Sequence, residues 1–170
     1  VTIYSTFLQR GYDSIMHDCA LQKLPVIIAM DRAGLVGFDG PTHHGMLDIG
    51  YMRIIPNMVV MAPKDEAELR DMMVTAVDYT DGPIAFRYPR AGLTGADISA
   101  EPKALPIGKG EVIRHGNGPV AILSYGHVYS SVMKAVEALA DEGIDAAVIN
   151  ARFVKPMDVD LLREIADRYP

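Results

Sequence analysis

Three short runs of apolar residues constrain the fold of this chain more than any other feature of its sequence. They lie at 25–30, 58–61 and 84–86, and polar or turn-forming residues bound each of them. Continuous apolar runs of this length are typical of strands that are buried on both faces of a parallel sheet. The residues at 1–4 alternate in the same β-forming style and predict a further strand at the very start.

Helical spacing of apolar residues separates these strands and predicts two helices, at 7–22 and 65–79. The second helix opens with Asp65 followed three residues later by Glu68, which is typical of a capping box. Alternating strands and helices define an α/β fold with a doubly wound, mostly parallel sheet. We therefore predict this architecture for residues 1–92.

A second α/β unit is predicted for residues 107–170, after a linker at 93–106 that mixes Gly, Ser, Pro and isolated charges without periodicity. Its predicted elements are strands at 109–114, 120–125 and 146–150 and helices at 128–140 and from 158 onward. The chain starts within a strand and stops inside an unfinished βα pattern. Both units are therefore expected to be truncated, and the chain is expected to be a piece of a longer protein.

The charge balance excludes several classes of partner. Sixteen Lys and Arg against 22 Asp and Glu give a net charge of -6, whereas nucleic-acid and anionic-membrane binders need a basic surface. No stretch reaches the ~18 apolar residues of a membrane span, and no signal peptide is recognisable. The single cysteine, Cys19, fits a reducing compartment. We therefore expect a cytoplasmic globular protein with no nucleic-acid or membrane partner.

The segment 31–45 is the most informative part of the chain for function. It is a long loop directly after a predicted buried strand, with four glycines that allow close approach to a ligand. Arg32, Asp39, His43 and His44 supply groups for anion binding and proton transfer. The alternative is an ordinary connecting loop. A metal site is disfavoured, because adjacent histidines point apart and no further ligand stands at metal-binding spacing.

Three arginines follow three different predicted strands: Arg10, Arg32 and Arg90. The carboxyl ends of parallel strands open onto one crevice, so these side chains are predicted to converge there on an anionic ligand. An arginine taken alone is more often a partner in a surface ion pair. The glycine-rich stretch at 108–110 is not a phosphate loop, because a strand rather than a helix follows it.

Four segments carry a specific family resemblance: YSTFLQRGYD (4–13), DRAGLVGFDGPTHHGMLDIGYMR (31–53), IPNMVVMAPKDEAELR (55–70) and FRYPR (86–90). In this order and spacing they resemble the pyrimidine-binding domain of the 1-deoxy-D-xylulose-5-phosphate synthase family. The stretch from LPIGKGEV (105–112) to ARFVKPMD (151–158) is similar to the start of the carboxy-terminal, transketolase-like domain of that family. The resemblance covers nearly the whole chain.

The resemblance implies a transferase that condenses pyruvate with glyceraldehyde 3-phosphate and releases carbon dioxide. It implies thiamine diphosphate and Mg²⁺ as cofactors, a homodimer, and a product used in isoprenoid and thiamine biosynthesis. The implied location is the cytoplasm, or the plastid for a plant protein. The chemistry at the reacting carbon then belongs to the cofactor, while the protein binds and orients.

The resemblance also implies roles for seven side chains: stacking on the cofactor's aminopyrimidine (Phe7), binding the acceptor's phosphate (Tyr4, Arg32, Arg90) and catalysis around the reacting carbons (Arg10, Asp39, His43). The family's glutamate, which polarises the aminopyrimidine, belongs to a motif that would precede Tyr4. The motif that holds the diphosphate and the metal is also absent, so no metal ligand is predicted. The chain alone is therefore not expected to bind or turn over the cofactor.

Two alternatives stay open from the sequence. The first is a transketolase-like subunit or the beta subunit of a 2-oxo acid dehydrogenase, since both share this fold. The second is a noncatalytic binding or assembly module that kept the fold without the chemistry. Use of ketose donors rather than pyruvate would distinguish the first alternative from the synthase. A glutamate-bearing motif ahead of residue 1 would indicate an enzyme rather than the noncatalytic module.

Overall fold

The apolar runs form strands of two sheets in the computed structural model, which describes residues 1–169. Within these residues, the larger sheet has the strand order β1-β2-β4-β3-β8 and the smaller one β5-β7-β6. The strands are β1 (Thr2–Tyr4), β2 (Ile27–Asp31), β3 (Val59–Met61), β4 (Ile84–Arg87), β5 (Glu111–Arg114), β6 (Ala121–Ser124), β7 (Ala147–Asn150) and β8 (Phe153–Lys155).

Four strands of the larger sheet run parallel, and the predicted fold class is confirmed. β1 pairs with β2, β2 with β4 and β3 with β4, all in parallel. The fifth strand, β8, lies antiparallel to β3 although it comes from the second half of the chain. The sequence did not predict β8, because it has only three residues and Pro156 follows directly. In the smaller sheet β6 is parallel and β5 antiparallel to β7.

The helices are α1 (Ser5–Leu8), α2 (Tyr12–Ser14), α3 (Asp48–Ile54), α4 (Glu66–Asp78), α5 (Tyr129–Asp141) and α6 (Val159–Arg168). The single helix predicted at 7–22 is irregular: a 3₁₀ turn at Gln9–Gly11 separates α1 from α2, and a π-helical turn follows at Ile15–Ala20. Gly11 lies at the break, where its low helix propensity weakens a regular path. No helix within residues 1–169 is long and apolar enough to cross a membrane.

Helix α3 was not predicted, because its seven residues include Gly50 and two β-branched isoleucines and the residue at its N-cap, Leu47, makes no side-chain capping bond. Tertiary packing stabilises it instead. Its Met52 is fully buried, and Asp48 is fully buried in an ion pair. By contrast, the predicted start of α4 is confirmed, since the Asp65 carboxylate accepts a hydrogen bond from the Glu68 amide at 2.8 Å.

Both faces of the larger sheet are covered, as expected for a doubly wound arrangement. Successive residues of each strand point to opposite faces, so Val60 and Ala85 join the core that packs against α1 and α3. Their neighbours Val59 and Ile84 join the core that packs against α4. Phe153 of β8 is fully buried in the second of these cores. The second half of the chain therefore completes the core of the first.

A buried ionic network joins α4 to β5, to β7 and to the turn between β7 and β8. Glu68 is 2% exposed, and its carboxylate accepts hydrogen bonds from Arg152 Nε at 2.7 Å and from Asn150 Nδ2 at 2.9 Å. The backbone amide of Lys64 donates to the same carboxylate at 2.7 Å. Arg152 also donates to Glu111 at 2.6 Å. Each buried charge thus has partners of opposite sign, as burial requires.

Residues 93–106 contain no helix or strand and follow the surface of α4. The Lys103 amide donates to the Asp71 carboxylate at 2.9 Å, and the Leu105 amide donates to Thr75 Oγ1 at 2.8 Å. Leu105 is buried in the core beneath. The predicted linker is therefore attached along its length to the first half of the chain.

Glu66 fixes the start of this linker. Its carboxylate accepts hydrogen bonds from the amides of Thr94, Gly95 and Ala96 at 2.7–3.0 Å and from Thr94 Oγ1 at 2.7 Å. The bonds from the Thr94 hydroxyl and amide lower the pKa of Glu66 to about 2. Because the folded pKa is depressed, the contribution of this carboxylate to stability is complete above the unfolded pKa of about 4.3 and is lost as the pH falls through the folded pKa.

We expect E66Q to release the linker at neutral pH, since a neutral amide accepts more weakly than a carboxylate. Amide hydrogen exchange at Thr94, Gly95 and Ala96 should accelerate by about tenfold or more. Exchange of the amides within α4 should stay unchanged. The matched control is E137Q, since Glu137 is exposed on α5. Equal exchange in the two variants would contradict a holding role for Glu66.

Candidate active site

The ends of three neighbouring strands define the site. Tyr4 ends β1 and lies opposite Asp31, the last residue of β2, in the strand register. Arg87 ends β4 beside them, with Arg90 three residues further on. Because β1, β2 and β4 are parallel and adjacent, their carboxyl ends open to the same edge, where ligands of such sheets bind.

An aromatic cluster lies at this edge. The rings of Tyr4 and Phe7 are stacked, with centroids 5.3 Å apart and planes inclined by 14°. The His43 ring packs edge-on against Phe7 at 5.3 Å and lies 6.0 Å from the Tyr4 ring. Phe7 remains 38% exposed, which is unusual for a phenylalanine in such a cluster. The cluster therefore presents a flat apolar surface to the solvent.

A charged cluster adjoins the aromatic one. The guanidinium carbon of Arg32 lies 3.9 Å from the centroid of the Tyr4 ring, a cation–π contact. Arg32 Nε donates to Asp39 Oδ2 at 3.0 Å, and Arg90 Nε lies 3.5 Å from the same oxygen. The hydrogen bond from Arg32 and the charge of Arg90 hold the pKa of the Asp39 carboxyl below its ordinary value. Two arginines thus converge on one carboxylate oxygen at this edge of the sheet.

Six of the seven predicted site residues therefore belong to one connected cluster, whose members are Tyr4, Phe7, Arg32, Asp39, His43 and Arg90. The seventh, Arg10, lies apart from the ion pairs. It lines an open recess of about 390 Å³ together with Ile3, Phe7 and Gly11. Phe7 is common to the recess and the cluster. The functional roles of all seven stay predictions.

Gly45 closes the loop that carries Asp39 and His43. The amide and carbonyl of Gly45 exchange hydrogen bonds with those of Gly34, at 2.8 and 2.9 Å. A Cβ atom on Gly45 would lie 2.5 Å from the Arg32 carbonyl oxygen and equally close to the side chain of Ser5. Only glycine therefore fits between the two segments that hold Arg32 and the aromatic cluster.

The two histidines of the loop have separate surroundings. His43 Nδ1 lies 2.9 Å from Thr42 Oγ1, on the side of the aromatic cluster. His44 Nδ1 accepts a hydrogen bond from the Val36 amide at 3.2 Å and so holds the loop itself. Within residues 1–169, no group of three or more His, Cys, Asp or Glu side chains could hold a metal ion. The loop is therefore organised around hydrogen bonds and ion pairs.

Three supporting residues were missed by sequence reasoning. Asp48 is fully buried and accepts from Arg87 Nε at 2.8 Å, and Arg87 also donates to the Gly45 carbonyl at 3.4 Å. The sequence placed Arg87 at a strand end but gave no sign that it points inward to Asp48, 39 residues away. Asp31 bonds to its own neighbour, Arg32. The sequence signal for Asp31 was its position next to the oppositely charged Arg32, which allows an ion pair between neighbours.

Comparison with known proteins defines the class first. Residues 1–95 match the family described as "Transketolase, pyrimidine binding domain", and residues 108–170 match "Transketolase, C-terminal domain". Since the first match alone covers more than half of the 170 residues, the chain belongs to the transketolase pyrimidine-binding domain family.

Curated relatives narrow the resemblance. The chain is 58% identical over 167 residues to the 1-deoxy-D-xylulose-5-phosphate synthase of Gloeothece citriformis and 59% identical over 164 residues to that of Brevibacillus brevis. These matches cover 98% and 96% of the chain but only 26% of each relative, so the chain spans about a quarter of their length. The predicted resemblance to this synthase family is confirmed.

Solved structures agree on the fold. A split-gene transketolase, described as an inactive beta4 tetramer, superposes with a TM-score of 0.85 at 30% identity, covering 98% of this chain and 53% of that one. A transketolase mutant from Pichia stipitis superposes with a TM-score of 0.77 over 90% of this chain and 22% of that one. At 22% identity, the second likeness supports the fold alone.

Proposed function

We propose that this chain forms the substrate-binding part of a thiamine diphosphate-dependent synthase, a transketolase-type transferase. The reaction condenses pyruvate with glyceraldehyde 3-phosphate to give 1-deoxy-D-xylulose 5-phosphate and carbon dioxide, the first step of isoprenoid synthesis by this route. One observation carries the proposal above all: Arg32 and Arg90 both contact Asp39 Oδ2 at the strand ends, beside the exposed aromatic cluster. High identity to such synthases over nearly the whole chain supports it.

The phosphate of the acceptor is proposed to bind to Arg32, Arg90 and Tyr4. Guanidinium forks match the geometry of phosphate oxygens and donate charge-assisted hydrogen bonds to them. Arg32 is 20% exposed and Arg90 is 49% exposed in their side chains, so both can meet a ligand. In an acidic protein, two arginines that converge at one edge of the sheet support a local anion site.

Phe7 is proposed to stack on the aminopyrimidine of thiamine diphosphate. The residues present fit this part of the cofactor, because the exposed Phe7 ring and the adjoining open recess offer a flat, apolar surface. When bound, the cofactor supplies the carbon nucleophile and the electron sink for loss of carbon dioxide. We propose that Mg²⁺ and the diphosphate are held by residues outside this chain.

Arg10, Asp39 and His43 are proposed to act around the reacting carbons. His43 Nδ1 is engaged with Thr42 Oγ1 at 2.9 Å, which leaves Nε2 as the atom able to pass a proton in the cleft. Asp39 stays ionised at neutral pH because its pKa is depressed, and it orients Arg32 and Arg90 rather than serving as an acid. Arg10 extends the positive charge along the recess beside Phe7.

The assembly and location also belong to this proposal. We propose a homodimer in the cytoplasm, or in the plastid for a plant protein. The single cysteine supports a reducing compartment, and the net charge of -6 supports the absence of nucleic-acid partners. Residues 1–92, 93–106 and 107–170 are proposed as the pyrimidine-binding unit, the linker and the start of the carboxy-terminal domain.

The test uses a full-length synthase that carries this segment. We expect R90A to raise the KM for glyceraldehyde 3-phosphate by about tenfold or more, the effect of one lost charge-assisted contact. The KM for unphosphorylated glyceraldehyde should not change. R90K keeps the charge but not the two-pronged guanidinium, so its KM for glyceraldehyde 3-phosphate should lie between those of the wild type and R90A. The matched control is R163A, on the exposed face of α6.

Steady-state kinetics with both aldehydes decide the outcome. An unchanged KM for the phosphorylated aldehyde in R90A would remove Arg90 from the phosphate site. Activity with ketose donors in place of pyruvate would favour the transketolase-like alternative. No turnover of any donor by the full-length protein would favour the noncatalytic module.

A further inference from the structure

We propose that Asp31 is a positioning residue that holds Arg32 in place to receive the phosphate of the acceptor, an inference that rests on the proposed function. The Asp31 carboxylate accepts two hydrogen bonds from Arg32, one at each oxygen. Its Oδ2 accepts from Arg32 Nη1 at 2.6 Å, and its Oδ1 accepts from the Arg32 backbone amide at 2.6 Å. One short side chain therefore fixes both the backbone and the guanidinium of its neighbour.

The backbone around Arg32 is fixed on both sides. Asp31 is paired with Tyr4 in the ladder between β1 and β2, and the Ala33 amide donates to the Tyr88 carbonyl at 2.9 Å. Between these anchors Arg32 adopts a left-handed conformation with φ of 56°. This conformation is unfavourable for a non-glycine residue and persists only where the surroundings impose it. The Asp31 Oδ1 contact is one such constraint.

The guanidinium plane of Arg32 is held by three contacts of different kinds. Nη1 donates to Asp31, Nε donates to Asp39, and the carbon lies 3.9 Å from the centroid of the Tyr4 ring. A guanidinium has five N–H donors. Three of them have no hydrogen-bond acceptor within residues 1–169 and are available to a ligand. A fork held in this way loses little conformational freedom on binding.

Asp31 differs from Asp39 in the rigidity of its own support. Asp31 ends a strand in the middle of the site, between β1 and β4. Asp39 ends a short 3₁₀ turn, Gly37–Asp39, in the long loop after β2, and both Gly37 and Gly40 have positive φ. Groups on strands keep their geometry better than groups on loops. The contact with Asp31 therefore sets the position of Arg32 even when the loop adjusts to a ligand.

The positioning role and simple electrostatics predict opposite changes in the KM for the phosphorylated aldehyde when the Asp31 charge is removed. A negative charge beside Arg32 weakens its long-range attraction for phosphate, so neutralisation alone should tighten binding. Loss of the hydrogen bonds from Arg32 to Asp31 should weaken phosphate binding, because the guanidinium is no longer held in place and the left-handed backbone loses a constraint. Whether the KM rises or falls in D31N thus separates the two effects.

The experiment compares D31N with the wild type in a full-length synthase that carries this segment. With glyceraldehyde 3-phosphate as acceptor, the KM should rise by about tenfold, with kcat at saturation changed by less than about twofold. With unphosphorylated glyceraldehyde neither constant should change, since Arg32 then has no phosphate to bind. The matched control is D160N, which removes the same charge from an 83% exposed carboxylate on α6.

Each outcome decides the matter. A higher KM confined to the phosphorylated aldehyde supports the positioning role. A lower KM overturns it and assigns Asp31 to charge balance, while an equal loss with both aldehydes overturns it in favour of general structural damage. Failure of the wild type to use pyruvate and glyceraldehyde 3-phosphate is a separate result, because it contradicts the proposed function before D31N is considered.

Discussion

Replacing Glu68 with alanine should lower the free energy of unfolding of the chain by about 3–5 kcal/mol, the usual effect of removing one partner from a buried ion pair. The 2% exposed carboxylate accepts from Arg152, Asn150 and the Lys64 amide, so its removal takes this acceptor from the buried Asn150 amide and from two partly buried donors. Urea unfolding followed by circular dichroism measures the change.

The control for this prediction is E137A, because Glu137 is exposed on α5 and its replacement should change stability by less than about 0.5 kcal/mol. Burial opposes ionisation of Glu68, yet the charges of Lys64 and Arg152 keep its pKa below the ordinary value. The stabilisation is therefore present above the unfolded pKa of about 4.3 and lost as the pH falls through the folded pKa. An E68A loss as small as that of the control would show that the network contributes nothing.

Replacing Gly45 with alanine should reduce kcat/KM of a full-length synthase by about 100-fold, the effect of moving catalytic groups by about 1 Å. The added Cβ would lie 2.5 Å from the Arg32 carbonyl oxygen and from Ser5 Cβ. Neither neighbour is the free end of a flexible side chain, so the backbone itself has to move. Ser5 directly follows Tyr4, so the movement reaches both clusters of the site at once.

Gly50 provides the matched control. It lies on α3, five residues beyond Gly45, and a Cβ there would meet nothing within 4 Å. G50A should therefore keep full activity and add up to about 1 kcal/mol of stability from helix propensity. Equal activity of G45A and G50A would show that the loop tolerates the added methyl group and that the contact is not limiting.

The sequence predicted those parts of the fold that local pattern determines. The apolar runs became parallel strands, because burial on both faces leaves a continuous apolar signature. Of the three arginines predicted to converge, Arg32 and Arg90 lie together because parallel strands end at one edge, whereas Arg10 lies apart in the recess beside Phe7. Family resemblance then supplied the individual roles, which spacing alone could not have given.

The parts that sequence reasoning missed depend on distant residues. Helix α3 has poor intrinsic propensity and is stabilised by the buried pair of Asp48 with Arg87, which are 39 residues apart. β8 is stabilised by pairing with β3, almost one hundred residues earlier in the chain. Local composition carries no record of such partners, so tertiary contacts override propensity at both places.

The position of β8 has a consequence for recombining this protein with its homologues. A crossover placed in 93–106 looks natural, yet it would combine an edge strand from one parent with a sheet from the other. It would also take Glu68 from one parent and Asn150 and Arg152, which donate to its carboxylate, from the other. Chimeric enzymes should therefore inherit everything from β3 through β8 from a single parent.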